Sequence, residues 1–335
     1  MAAITTRKIE AVVHTKIDAA RRRTVAKTIA LDRLSAFLGD AAPALQPPAL
    51  PWVDLEIRPA FREPVEICVD CPEKATNGPA FKVHLPRLVL VLLEPEEVSR
   101  AAQRAKPNYF DLVLGHDAAA VAAARGKASA PFAHGGTWVP RDVWAAPPRS
   151  KAPKASLVCG ALPRDKKLTR GHRIRRAVWD AAAADARIVR FASEHSKLPR
   201  DKGVRVLAAA PEAKAGSVAP FAVHVAIENV RRAGYFTEKL LDCFLLRTVP
   251  VYWGCPDLAA HGFDVDGVVF IDDGGDVAAV ARAAVAAVGR ALDAPPPAAA
   301  IERNYARAQD FLDLEGRLVA SIDAALIARE RDLCV

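Results

Sequence analysis

Hydrophobic patterning along the chain predicts alternating strands and helices. A short apolar run at residues 65–69, a continuous one at 88–93 and a largely apolar segment at 111–116 are typical of buried parallel strands, because a strand covered on both faces shows little polar alternation. In the second half the pattern predicts strands at 157–159, 222–227, 249–253 and 268–271, and helices at 174–184, 238–247 and 277–292. Alternation of this kind predicts an α/β fold with parallel sheets and helices on both faces.

Changes in composition divide the chain into four predicted parts. Residues 1–46 carry apolar residues at helical spacing and are predicted to be a helical, basic extension. Residues 47–148 and 149–295 are predicted to be two α/β domains, joined by a linker rich in Pro, Lys and Ala at 144–153. Residues 296–335 are predicted to be a C-terminal helical segment. Two Rossmann-like domains facing a cleft are the expected architecture, with ligands at the carboxyl ends of the strands.

The charge of the chain narrows the classes of partner. The formal net charge is +8, which suits a polyanion or a small molecule that carries phosphate. The basic clusters at 21–23, 151–154 and 164–176 contain few aromatic residues, so the stacking platforms of single-stranded nucleic-acid binders are missing and no nucleic-acid partner is expected. Since no stretch of about 18 apolar residues occurs, we expect no transmembrane segment and, by default, a soluble cytoplasmic protein.

The pattern of metal-ligating residue types indicates no metal centre. The pair Cys68 and Cys71 lacks a second pair at zinc-ribbon spacing, and the eight histidines show no HExxH pairing. Asp264 and Asp266 have the DxD form that binds a divalent ion in a different transferase fold, and we interpret them as a solvated turn. We therefore expect neither a metal nor a cofactor.

The densest pattern lies in residues 221–254, which read FAVHVAIENVRRAGYFTEKLLDCFLLRTVPVYWG. A buried strand is predicted to end at Glu228, and a helix to begin after Thr237, which is a suitable N-cap. Lys239 lies beside the free N–H groups of that helix start, and together they suit a diphosphate. Spacing alone leaves open whether Glu238 and Lys239 bind a ligand or form a solvated helix start.

This segment resembles the C-terminal signature of the fucosyltransferases of glycosyltransferase family ten. The likeness consists of Glu-Asn after a strand, Tyr and then Thr-Glu-Lys at a helix start, and Pro-Val-Tyr-Trp-Gly at the next strand. Weaker likenesses occur in the same order elsewhere, at residues 93–95, 107–111, 135–138 and 172–175. The resemblance implies a GT-B fold and inverting transfer of fucose from GDP-fucose to a hydroxyl of a glycan or glycoprotein acceptor.

The resemblance also implies roles for individual residues. On the donor side it implies phosphate binding by Lys239 and by Arg175, with Arg173 as the competing register. It implies ribose binding by Glu238, nucleotide contact by Tyr235, a donor-facing Asn229 and an orienting Glu228. On the acceptor side Glu94 matches the carboxylate that serves as general base, since inversion in one displacement needs a base opposite the leaving diphosphate.

Departures from the family pattern keep other hypotheses open. Val230 replaces the usual Ser after Asn229, and Arg231 and Arg232 add positive charge. The same fold using another nucleotide sugar is therefore one alternative. A non-catalytic relative that binds nucleotide or glycan is the other.

Overall fold

The computed structural model describes the chain in two compact units. The first comprises residues 1–134 together with 313–335, and the second comprises residues 135–312. The residues described are 10–15, 28–30, 65–69, 87–99, 110–116, 128–148, 150–160, 162, 168–208, 211–314, 316–318, 320–322 and 324–325. The segment 107–109, which carries part of the family resemblance, lies outside them.

The first unit contains a six-stranded sheet in the order β2-β1-β3-β4-β5-β6. Its strands are β1 (Glu10–Thr15), β2 (Thr28–Ala30), β3 (Val65–Val69), β4 (Arg87–Leu92), β5 (Leu112–Gly115) and β6 (Ala128–Ala130). β1 and β2 pair antiparallel, and all the other pairs are parallel. A short helix, α1 (Glu96–Ser99), follows β4.

The continuous apolar runs of this unit form strands as predicted. Val89, Leu90, Leu112 and Leu114 are each fully or almost fully buried. Burial of successive residues, whose side chains point to opposite faces, shows that both faces of β4 and β5 are covered.

Within the predicted helical extension at 1–46, the described residues 10–15 and 28–30 form strands instead, and Glu10–Thr15 pairs in parallel register with β3. The remainder of 1–46 lies outside the described residues. The β-branched residues Val12, Val13 and Thr15 favour an extended backbone. Pairing in a sheet therefore outweighs the helical spacing of the apolar positions, and this stretch belongs to the first unit rather than to a separate extension.

The second unit is built on a fully parallel six-stranded sheet in the order β12-β11-β10-β7-β8-β9. Its strands are β7 (Ala152–Cys159), β8 (Ile188–Ser193), β9 (Val204–Leu207), β10 (Phe221–Ile227), β11 (Val249–Trp253) and β12 (Val269–Phe270). Its helices are α2 (Arg141–Ala145), α3 (Arg170–Ala181), α4 (Pro211–Val218), α5 (Glu238–Leu245), α6 (Val277–Asp293) and α7 (Ala298–Gln309). No described helix combines the length and the apolar character that spanning a bilayer requires.

Helices α3 and α6 cover one stretch of this sheet. On α3, Ile174, Val178 and Trp179 are buried, and their spacing of four and one places them on a single face. They share a core with Val225 of β10 and Val251 of β11. This shared core fixes α3 against the sheet, and with it the polar residues at the start of α3.

The boundary between the two units falls after His134, upstream of the linker predicted at 144–153. Residue 152 already begins β7, and the Lys151 ammonium donates to the Ala219 carbonyl at 2.6 Å and to the Thr248 hydroxyl at 2.9 Å. Burial lowers the pKa of Lys151 to about 8. The Lys- and Pro-rich composition therefore marks the entry to a buried strand, where the lysine amine finds its partners inside the second unit.

A buried aspartate ties the beginning of the second unit to α5. Asp242 Oδ1 accepts hydrogen bonds from the Thr137 hydroxyl at 2.6 Å and from the Trp138 amide at 3.1 Å. The Lys214 ammonium lies 4.0 Å from the other carboxylate oxygen. Burial raises the pKa of Asp242 to about 6, against the opposing effects of Lys214 and Thr137.

We predict that Asp242 gives the stability of the protein a specific pH dependence. Its pKa in the folded protein lies above the ordinary unfolded value of about 3.9, so between pH 4 and 6 the folded state holds a proton that the unfolded chain has released. The contribution of Asp242 to stability should therefore decrease as the pH rises through this window. Relative to Asp242→Asn, wild type should lose up to about 3 kcal/mol of unfolding free energy from pH 4 to pH 6.5.

The measurement is denaturant unfolding of both proteins across this pH range. The asparagine keeps an oxygen for Thr137 and Trp138, so the fold should be retained. Asp180→Asn, at an exposed position on α3, is the control and should follow wild type at every pH. An unchanged difference between wild type and Asp242→Asn across the range would contradict the prediction.

Candidate functional site

The order of the strands in the second unit reverses between β7 and β10, which are neighbours in the sheet. The loops that leave the carboxyl ends of these two strands lead to α3 and α5, and ligands of open α/β sheets bind at this kind of reversal. The two loops touch, because the Gly171 amide donates to the Asn229 carbonyl at 3.1 Å. A Cβ atom at residue 171 would lie 1.9 Å from the Glu228 carbonyl oxygen, so only glycine permits this approach.

Glu228 is the first residue after β10, and it is completely buried. One carboxylate oxygen accepts the Thr237 amide at 2.9 Å, and the other accepts the Thr237 hydroxyl at 2.8 Å and lies 3.6 Å from the Lys239 ammonium. Burial raises the pKa of Glu228, while Lys239 and the two Thr237 hydrogen bonds oppose that rise. Glu228 therefore closes the loop between β10 and α5 and positions the start of the helix, which is the geometry of an orienting residue.

The start of α5 presents two charged side chains. Thr237 is the N-cap, and its hydroxyl accepts the Lys239 amide at 3.3 Å. The Lys239 ammonium donates to Glu238 at 3.0 Å and to the Thr237 hydroxyl at 3.1 Å. Burial alone would lower the pKa of Lys239, but Glu238 and Glu228 raise it above the usual value, so the ammonium stays charged. The side chains of Glu238 and Lys239 keep 18% and 23% of their surface exposed, so both remain accessible to a ligand.

Arg175 on α3 joins this cluster from the other loop. Its Nη2 donates to the Ile227 carbonyl at 2.7 Å and to the Asn229 side-chain oxygen at 3.1 Å. Arg175 is buried, whereas Arg173 lies exposed on another side of the helix. Of the two registers left open by the sequence, the structure brings Arg175 and not Arg173 together with Asn229.

His172 is part of the same cluster, although sequence analysis assigned it no role. The Thr169 amide donates to His172 Nδ1 at 3.2 Å, and the His172 amide donates to the Thr169 hydroxyl at 3.3 Å, which completes a capping box at the start of α3. Burial, then Arg175 and Lys239, lower the pKa of His172 to about 4. The imidazole is therefore neutral at neutral pH.

The last donor-side candidate, Tyr235, lies inside the loop between β10 and α5. Its side chain has no exposed surface, and its amide donates to the Arg232 carbonyl at 3.2 Å. In this conformation Tyr235 supports the loop from within rather than presenting a face to solvent.

Glu94 belongs to the first unit. It lies between the end of β4 and the start of α1, at the carboxyl end of the sheet, and is half-buried. Its neighbours Glu96 and Glu97 are exposed in the first turn of α1. Among these three carboxylates Glu94 is the one placed directly at the end of a buried strand.

The DxD-like pair forms the turn that was predicted. Asp264 is the N-cap of a 3-10 helix at Val265–Gly267, and its carboxylate accepts the Asp266 amide at 3.0 Å. Arg303 donates to the other oxygen of Asp264 at 2.7 Å and thereby lowers the pKa of that carboxyl. Both oxygens of Asp264 thus have partners within the turn or on α7.

An ion-pair cluster around Asp273 was not predicted from the sequence. This carboxylate accepts the Trp253 indole N–H at 2.8 Å and the Arg170 guanidinium at 2.9 Å, and it lies 3.9 Å from Arg231. The arginines come from the start of α3 and from the loop after β10, which are the two segments that meet at the strand reversal. Asp273 lies beyond the signature at residues 221–254, and its partners are distant in sequence, so no local signal identified it.

Comparisons with known proteins add two kinds of similarity. No family model matches the chain. A curated alpha-(1,3)-fucosyltransferase, FucT of Helicobacter pylori, is 42% identical over 36 residues, which are 11% of this chain and 8% of the relative. The matched stretch is thus a small fraction of either protein.

Solved structures resemble a much larger part of the chain. HepE of Anabaena, solved in complex with UDP-glucose, has a TM-score of 0.52 at 12% identity, over 80% of this chain and 78% of that chain. An alpha1,3-fucosyltransferase solved with GDP-fucose has a TM-score of 0.36 at 15% identity, over 74% and 78%. A TM-score of 0.36 is too low to show a shared fold, whereas the likeness to HepE shows one. The predicted α/β, GT-B-like fold with Rossmann-like units is thereby confirmed.

Proposed function

We propose that this protein is a glycosyltransferase that moves fucose from GDP-fucose to a hydroxyl of a glycan acceptor, with inversion and without a metal ion on the diphosphate. The observation that carries the proposal is the meeting of Arg175, Lys239, Glu238 and Asn229 at the carboxyl ends of β7 and β10. Two fixed cations and a helix N-terminus at a strand reversal suit a nucleoside diphosphate.

Each donor-side residue has a role that its position supports. Lys239 at the start of α5 and Arg175 on α3 would neutralise the phosphates, since both side chains already lie beside Asn229 or the helix N-terminus. Glu238 would accept hydrogen bonds from the ribose hydroxyls, because a carboxylate can only accept. Glu228 is too deeply buried to reach a ligand, and it would act through Thr237 and Lys239.

The reaction would be one displacement at the anomeric carbon. The acceptor oxygen forms the new bond, the bond from the anomeric carbon to the phosphate oxygen breaks, and the nucleoside diphosphate leaves with the electron pair. Glu94 would take the proton of the acceptor hydroxyl. Arg175 and Lys239 would stabilise the charge that develops on the leaving oxygen, which is the task of a divalent ion in metal-dependent transferases.

The assignment of fucose as the sugar and guanosine as the nucleoside rests on the sequence likeness to family ten and on the short stretch of identity with FucT. The substitution of Val230 for serine and the added Arg231 and Arg232 favour testing other donors alongside. HepE was solved with UDP-glucose, so UDP compounds form the matched comparison.

We predict that GDP and GDP-fucose raise the melting temperature more than UDP and UDP-glucose do. A ligand present at 100 times its Kd stabilises the folded state by about 2.7 kcal/mol. Lys239→Met should remove most of the shift given by GDP, since it deletes one of the two phosphate cations. Lys202→Met removes an exposed lysine of the same unit and should behave as wild type.

The measurement is a thermal-shift titration of the three proteins with each nucleotide. Equal or larger shifts with UDP compounds would overturn the guanosine assignment and keep the site. A GDP shift that is the same in Lys239→Met as in wild type would overturn the site itself.

We predict that turnover survives EDTA, because Arg175 and Lys239 supply the positive charge that a metal would otherwise bring to the diphosphate. The measurement is sugar transfer before and after chelation. Complete loss of transfer that manganese restores, and that zinc does not restore, would instead assign a metal to the diphosphate and make Asp264 and Asp266 its candidate ligands.

We predict that Glu94→Gln slows transfer by roughly 10²–10⁴, which is the usual contribution of a general base. Glutamine keeps the size and hydrogen bonding of the side chain but cannot take the proton. The GDP-induced thermal shift should be unchanged, since the proposed phosphate ligands belong to the other unit. Glu96→Gln and Glu97→Gln are the matched controls, and near-normal turnover in Glu94→Gln with loss in one of them would identify that neighbour as the base.

A further inference from the structure

Three side chains that commonly bind zinc converge just after β11. Cys255 follows the strand by two residues, Asp257 precedes a 3-10 helix at Leu258–His261, and His261 is the last residue of that helix. Within the described part of the chain, this group brings one ligand atom from each side chain to within 4.8 Å of the others. The backbone turns sharply here, and Gly262, with φ of 80°, ends the helix directly after the histidine.

The distances fit a single small ion. Cys255 Sγ lies 2.9 Å from Asp257 Oδ1, and His261 Nε2 lies 3.6 Å from Asp257 Oδ2. Ligand bonds to zinc of about 2.0–2.3 Å place neighbouring ligand atoms of a tetrahedron about 3.4–3.6 Å apart. One ligand atom from each of the three side chains lies within 4.8 Å of the other two, so a local adjustment of the side chains would bring these atoms to the separations of a zinc site.

The chemistry of the three ligand atoms determines which ion the site prefers. A thiolate, an imidazole and a carboxylate together suit zinc, whereas magnesium and calcium prefer oxygen ligands alone. Cys255 is buried, while the Asp257 and His261 side chains are 39% and 24% exposed. An ion can therefore enter from solvent, and a water molecule can complete the tetrahedron.

We propose that Cys255, Asp257 and His261 form a three-ligand zinc site. On binding, the Cys255 thiol gives its proton to solvent and ligates as the thiolate. The oxidation state of zinc does not change on binding, so no oxidant or reductant is required.

The site would stabilise the loop that follows β10. Asp257 Oδ1 accepts the Gly234 amide at 2.9 Å, and the ring of Phe236 packs edge-on against His261 with ring centres 5.2 Å apart. Gly234 has φ of 68°, a conformation that glycine adopts without strain. An ion held by Asp257 and His261 would thus fix residues 234 and 236, which lie just before the start of α5.

The experiment removes bound metal from the 335-residue chain with a chelator and dialysis, adds Co²⁺, and follows the thiolate-to-cobalt charge-transfer band in the near-ultraviolet. We expect one equivalent of Co²⁺ to produce the band and Zn²⁺ to displace it. Zn²⁺ should also raise the melting temperature of the protein. Cys255→Ser should abolish the band, whereas Cys71→Ser, which disrupts the closely spaced pair Cys68 and Cys71, should retain it.

Asp257→Asn and His261→Gln test the remaining ligands and guard against a Cys255 variant that fails to fold. Asparagine keeps an oxygen for the Gly234 amide, so the loop should be retained, while the affinity for Co²⁺ should fall at least tenfold in both variants. The proposal is overturned if wild type shows no band, or if the band persists in Cys255→Ser. Affinities equal to wild type in Asp257→Asn and His261→Gln would also overturn it.

Discussion

The arrangement of the candidate site in the second unit depends on the contacts that the buried Glu228 carboxylate makes with Thr237 and Lys239. A fully buried charge is costly unless it is paired and hydrogen-bonded, and here the Thr237 amide, the Thr237 hydroxyl and the Lys239 ammonium provide both. Because all these partners belong to the cap and first turn of α5, the helix can begin at one place only. The hydrogen bonds between Glu228 and Thr237 therefore join the two ends of the loop from β10 to α5, and they fix the positions of the residues in that loop.

The two proposed phosphate ligands are positioned before any ligand arrives. Arg175 is held by a backbone carbonyl and by the amide oxygen of Asn229, both of which are uncharged acceptors, so among the described residues no carboxylate pairs directly with its positive charge. Lys239 is held by two carboxylates, of which Glu238 is partly exposed. A diphosphate would thus find one cation already available and a second that it can share with Glu238. Such preorganisation lowers the cost of ordering the site on binding.

Much of this architecture follows from local sequence, and the rest depends on distant contacts. The strand at Val249–Trp253 and the helix beginning after Thr237 could be predicted, because apolar runs and an N-cap act over a few residues. The strand at Glu10–Thr15 could not, since its partner β3 lies about fifty residues away and sheet pairing overrides helical spacing. At the candidate site, resemblance pointed to Arg175, Glu238 and Lys239. The burial of Tyr235 and the contacts of Asp273 depend on how separate segments meet, which spacing does not encode. Cys255 and His261 are close in sequence, but they converge through the 3-10 helix at Leu258–His261, which the sequence pattern did not predict.

The close approach at Gly171 gives a criterion for comparing sequences. Any side chain at this position would press on the Glu228 and Asn229 carbonyls, and the start of α3 would have to retreat. Arg175 sits one turn further along that helix, so its reach to Asn229 would be lost together with the contact. A related chain that keeps the arginine but carries a larger residue four positions before it must therefore hold its cation differently. The glycine, which offers no functional group, would thus separate homologues with this site geometry from those that share only its charged residues.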